Sequence, residues 1–172
     1  AAGATTRWTG AWATTFVSAD PRDAFAILPS QFAELDARMQ AVRQVGRPVI
    51  LRQPVFVPLD LVIAICVTPG FAFGDVAERV LRALSAGRGG FFHPDRFSFG
   101  VPLRRPELEA AIAGVDGVRA VLNIALRQRG LTDWQVFDTD RITAAADRIL
   151  KVENDPDRPG HGSVRVYEKT LP

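Results

Sequence analysis

A chain of 172 residues that is 47% apolar and 23% charged has material for one domain, or one and a half, around a buried core. That composition excludes whole-chain disorder. A net charge of +2 is too small for bulk electrostatics to imply a polyanionic partner.

The first residues, AAGATTRWTG, carry no charged-then-apolar leader pattern and no initiator methionine, and read as the start of a piece cut from a longer polypeptide. Residues 7–18 hold Trp8, Trp12, Thr14, Thr15, Phe16 and Val17, a composition that predicts a strand. After a loop with Asp20-Pro21 and Pro29, Ser30 is placed to cap a helix running to about Val45. Phe32, Leu35, Met39 and Val42 share one face of it, and Gly46 stops it. Residues 49–51 predict a short strand, and Pro54 marks an edge or a domain junction.

The period is cleanest over residues 55–68. Val55, Val57, Leu59, Leu61, Ile63, Ile65 and Val67 fall on one strand face. Phe56, Pro58, Asp60, Val62, Ala64, Cys66 and Thr68 fall on the other. Cys66 is the only cysteine, so it has no internal disulfide partner and is expected as a buried thiol. Asp60 interrupts the best apolar run, so no membrane helix is predicted. A helix over about 74–86 turns Val76, Val80, Leu81 and Leu84 toward the apolar strand face.

An aromatic loop follows, GGFFHPDRFSFG, with Phe91, Phe92, Phe97 and Phe99 expected as anchors to a core or to a neighbour. Pro106 opens a second helix to about Gly114, burying Leu108, Ala111 and Ile112. Asp116-Gly117 turns the chain into a strand over 118–126. Two short strands, 149–153 and 163–167, flank the turn signals Asn154-Asp155-Pro156 and Pro159-Gly160 and are expected to form a hairpin. The fold class predicted is α+β: a two-layer sandwich with helices on one face of a mostly antiparallel sheet. Residues 1–54 read as the end of a preceding β-α-β subdomain, and 55–172 as an α+β C-terminal domain.

Catalytic and ligand patterns are weak. His93-Pro94-Asp95 matches the tripeptide of J-domain co-chaperones, but no long basic helix precedes it, so it is read as a turn. His93 and His161 are the only histidines, and neither has a second ligand at zinc spacing. Asn154, Asp155 and Asp157 lack the later glutamate of a calcium loop. The glycine-rich stretch 85–90 lacks the lysine of a phosphate cradle, and there is no nucleophile elbow. No catalytic residue, cofactor or metal site is therefore predicted.

Four stretches resemble, in order, the C-terminal region of the J-like baseplate assembly proteins of contractile phage tails and contractile injection systems. They are RWTGAW, VPLDLVIAICVTPGF, GFFHPDRFSFG with PLRRPELEAAIAGVDGVRAV, and VENDPDRPGHGSVRV. The resemblance runs from Arg7 to Val166 and is least clear over Gly130–Asp147. Family members are longer, so it implies a C-terminal fragment or a trimmed homologue. It further implies a non-enzymatic wedge component, without cofactor or membrane partner. Such a component pairs with other baseplate wedge subunits, paralogous or identical, in a ring. It would assemble in the cytoplasm and end in a virion or an extracellular or cell-associated contractile particle. The candidate interface or loop anchors are Phe91, Phe92, His93, Phe97, Phe99, Arg104 and Arg105. The two arginines stand at a helix entry, against the dipole, and are assigned to an acidic partner surface. The alternative is an Arg-rich nucleic-acid-binding module built on Arg104, Arg105, Arg119, Arg127 and Arg129.

Overall fold

The computed structural model describes residues 1–170, so Leu171 and Pro172 of the expected second unit lie outside the described residues. Strands β1 (Ala2–Trp8) and β2 (Ala13–Ala19) form an antiparallel hairpin. The single strand expected over 7–18 is broken at Gly10, whose φ of 100° reverses the chain, and the Thr9 N–H closes the turn on the Trp12 carbonyl at 2.9 Å. Helix α1 (Pro29–Val42) crosses over to β3 (Val49–Arg52), which joins β2 in parallel. The helix starts at Pro29, not after Ser30. Proline suits the first helical position because the N–H it lacks would have no partner there. The Gln31 side chain accepts the Leu28 N–H at 3.3 Å.

The long strand β4 (Val55–Val67) is the axis of the main sheet. One edge pairs antiparallel with β6 (Val118–Gln128), which carries β7 (Gln135–Val136) on its outer side. The other edge carries β9 (Arg148–Lys151) beside Val55–Pro58, then β10 (Ser163–Glu168) beside Asp60–Ile65, both parallel to β4. The hairpin expected from these two segments does not form. They are two halves of one edge strand, and the residues between them are extruded as a loop. That loop is closed by bonds from the Glu153 and Asn154 N–H groups to the carbonyls of His161 and Gly162. Turn signals mark a chain reversal or an excursion equally well, so they could not distinguish the two.

Helices α2 (Phe73–Ala83) and α3 (Arg105–Ala113) cover one face of this sheet. A short pair, β5 (Leu103–Arg104) with β8 (Arg141–Ile142), flanks α3. The fold class is α+β in two layers, as the sequence predicts. Of the seven strand pairings among the described residues, four are antiparallel. The core joins Val57, Leu59, Leu61, Ile63 and Ile65 of β4 to Val76 and Val80 of α2 and Leu108 and Ile112 of α3, all buried. Each such side chain contributes about 1.5–3 kcal/mol by leaving water. Val55, expected on that face, lies exposed beyond its end, and Cys66 is buried as expected. Register shifts opposite Ala64–Ile65 and Cys66–Val67 bulge β6. Arg119 therefore falls at a bulge and out of simple alternation with Arg127.

Candidate functional site

The aromatic loop faces both ways. Inward, Phe91, Phe92 and Phe97 are buried in the core, with Phe92 stacked on Phe97 at 5.7 Å and Phe91 edge-on to Phe92 at 5.1 Å. Phe99, half-buried, lays its ring against the bare backbone of Gly3 and so ties β1 to the loop. Outward, the His93-Pro94-Asp95 turn grips the linker between β2 and α1. His93 Nε2 lies 3.0 Å from Asp23 Oδ1, and Asp95 Oδ1 accepts the Asp23 N–H at 2.7 Å. Arg88 adds a 3.2 Å contact to the same carboxylate. Hydrogen bonds from Arg88 and then His93 hold the Asp23 carboxyl below its usual range. The tripeptide is thus a clamp for Asp23, which adopts a φ of 54°.

The linker is held again further along. Gln53 makes two bonds to Ile27, accepting its N–H at 3.1 Å and donating to its carbonyl at 3.0 Å. Phe25 stands edge-on to Phe56 at 5.7 Å and covers the Lys151 ammonium at 3.9 Å. Lys151 is buried and pairs with Glu153 at 3.1 Å, and His161 and Arg158 complete the cluster. Burial alone would raise the Glu153 carboxyl. Bonds from His161 and Lys151, with the charges of Lys151 and Arg158, outweigh it and hold the carboxyl low.

Asp60, unlike the half-buried Glu153, is fully buried. Its oxygens accept from Ser163 at 2.8 Å, Arg129 at 2.7 Å and Arg127 at 3.1 Å, joining β10 and the end of β6 to β4. Arg127 also lies over the Trp134 ring at 4.6 Å. Here too burial pushes the carboxyl up, and the bonds from Ser163, Arg129 and Arg127 bring it below its ordinary value. A carboxyl lowered on folding stabilises fully above its unfolded value, and that stabilisation is lost as pH falls through the folded one. Thermal stability is therefore expected to drop steeply below about pH 4. Asp60→Asn should cost roughly 3 kcal/mol at neutral pH and flatten the acid limb. A melting series against pH for both proteins checks this. An unchanged acid limb in the variant would remove Asp60 from the account.

Arg104 and Arg105, assigned from sequence to a partner, are each met within α3. Arg104 lies 3.6 Å from Glu107 and Arg105 2.8 Å from Glu109. With Arg127 and Arg129 held by Asp60, Arg119 is the one member of that arginine set outside any ion pair among the described residues. The structure brings together the four phenylalanines and His93, and places Arg104 at the end of β5 and Arg105 at the start of α3 after them. Sequence reading missed Asp23, Asp60, Lys151 and Glu153. For Asp60 a signal existed: a lone acid inside an apolar strand needs a cation, and two arginines end the strand that pairs with it. For Asp23 no local pattern exists, since its partners are distant in sequence. Lys151 pairs with the nearby Glu153, but the rings that cover it, Phe25 and Phe56, are distant.

These groups lock segments to one another, and Lys151, Glu153 and His161 also line an open groove with Phe25 and Phe56. Among the described residues no cluster of three or more histidine, cysteine or acidic side chains could hold a metal. No helix among them is long and apolar enough to cross a membrane. No family model and no curated protein matches the chain. Among solved structures, the chain is similar to one described as the cryo-EM structure of the anti-feeding prophage (AFP) baseplate, 6-fold symmetrised. The identity is 13% and the TM-score 0.40, over 96% of this chain. The chain spans 38% of the length of that one.

Proposed function

We propose that this chain is a structural, non-enzymatic wedge component of the baseplate of a contractile phage-tail-like particle or injection system, acting through contacts with other wedge subunits. The observation that carries the contact role is α1. It is a helix of 14 residues with no buried residue, although Phe32, Leu35, Met39 and Val42 line it. Helices in proteins draw most of their stability from an apolar face packed on something. Val42 and Val45, 83% and 99% exposed, continue this surface, and Trp12 is 62% exposed on the neighbouring hairpin. A neighbouring subunit would cover that surface. The division into residues 1–54 and 55–172 fits this reading: the first unit presents the contact surface, and the second holds it through the Asp23 and Phe25 attachments. Arg104 and Arg105, where β5 meets α3 after the aromatic loop, would offer a second contact to an acidic partner. The particle class rests on the ordered motifs from Arg7 to Val166.

The double substitution Val42→Glu with Val45→Glu tests the role. Both side chains already face water, so the melting temperature of the isolated chain should stay within a degree or two. Particle counts by negative-stain microscopy, in cells that make the particle, should fall sharply. Normal numbers of contractile particles from that variant would sink the assignment of this face.

A further inference from the structure

We propose that β1 is a self-pairing edge, through which two copies of this chain join their three-stranded sheets into one six-stranded sheet about a two-fold axis. The inference is independent of the particle class proposed above. β1 is the outermost strand of the order β1-β2-β3. The Thr9 N–H bonds to Trp12, and the Asp20 N–H bonds to Ala1. In an antiparallel ladder the bonded residues alternate, so Ala1, Gly3, Thr5, Arg7 and Thr9 face β2. The N–H and C=O groups of Ala2, Ala4, Thr6 and Trp8 therefore point away from the sheet, and all four residues are exposed. Among the described residues no other strand pairs with them.

Proteins commonly block such an edge with lysine, proline, a bulge or a covering element. β1 has no lysine, proline or bulge; its sequence is AGATTRW, its one charge, Arg7, is paired with Asp147, and its register with β2 is unbroken over seven residues. The opposite edge of the same sheet is managed. β3 has only four residues, and the Gln40 side chain donates to its Val49 carbonyl at 3.1 Å. β1 is also held rigid as a template. Phe99 lies against Gly3, and Arg7 is fixed by Asp147 at 2.7 Å.

The occupant that fits is a second β1. An antiparallel pair with Thr5 opposite Thr5 of the other copy uses the whole strand. Ala2 then meets Trp8 and Ala4 meets Thr6, each pair formed from outward-facing residues. Arg7, the only charged side chain of β1, stands opposite Gly3, so no like charges face each other across the pair. Ala2, Ala4, Thr6 and Trp8 share one face, so each Trp8 indole, 71% exposed in the single chain, would lie across the small Ala2 of the other copy. The interface is isologous and closes at two copies.

Sedimentation equilibrium of the whole chain over the micromolar to millimolar range tests the proposal, alongside two variants. Ala4→Pro removes an outward N–H and leaves the bonds to β2 in place, so it should weaken the dimer on the order of tenfold or more with unchanged circular dichroism. Thr5→Cys, in a Cys66→Ala background, puts two thiols opposite each other at a Cα separation of about 4.5 Å, within disulfide reach. It should cross-link in air. A chain that stays monomeric throughout, or a dimer that Ala4→Pro leaves intact, would overturn the proposal. Should Ala4→Pro lose its fold, the cross-link alone decides: a Thr5→Cys protein that never links across copies rejects the register and the edge.

Discussion

Phe91→Ala is expected to lower the unfolding free energy by about 3–5 kcal/mol, the range for deleting a buried aromatic ring from a packed core. Phe91 is 3% exposed and touches both Phe92 and Phe97. Its ring is also the platform for the Arg96 guanidinium at 4.2 Å. Truncation would leave a void that neither neighbour can fill without leaving its own rotamer. It would also loosen the turn that presents His93 and Asp95 to Asp23. Urea unfolding of the variant beside the wild type measures the loss. A shift below about 1 kcal/mol would show that the loop closes over the gap and that the three rings are not a fixed unit.

Gly117→Val is expected to cost about 2–6 kcal/mol, from two sources that act together. Gly117 has a φ of 95°, which a β-branched residue resists. A Cβ there would also come within 2.6 Å of Val76 Cγ2 and 2.8 Å of Phe71 Cδ1. The Gly117 carbonyl accepts the Thr68 N–H at 2.9 Å, so displacing the turn also loosens the end of β4. Gly117→Ala already carries both the backbone strain and the Cβ clash, and valine adds two methyl groups to them. Thermal unfolding of both variants should rank valine below alanine, and both below the wild type. Equal stability of all three would refute both arguments.

The main sheet was legible in the sequence because β4 alternates for most of its length and its apolar face meets two helices of matching period. The Asp116-Gly117 turn and the buried phenylalanines were legible for similar reasons: each is a local pattern with one physical cause. The first hairpin was misread because tryptophans and threonines on both sides of Gly10 gave one continuous strand composition. Two turns hid a broken edge strand at residues 148–168, since parallel pairing to a distant strand leaves no mark in the segment itself. The clamps around Asp23 and Asp60 were largely invisible for the same reason. Their partners lie as far away as Asp60 and Ser163, and no spacing rule connects them.

The edge strand built from β9 and β10 also bears on how the chain reaches its fold. β4 is made well before the residues that fill one of its two edges, which run from Arg148 to Glu168. Until those residues leave the ribosome, Val55–Ile65 shows an unpaired row of backbone groups beside a strongly apolar face. Closing that edge needs two separate long-range pairings, on either side of an extruded loop, and contacts so distant in sequence slow folding. The central strand is thus the most protected part of the finished protein and the most exposed part of the unfinished one. A polypeptide cut short before Ser163 would carry an open strand edge prone to sticking to its neighbours.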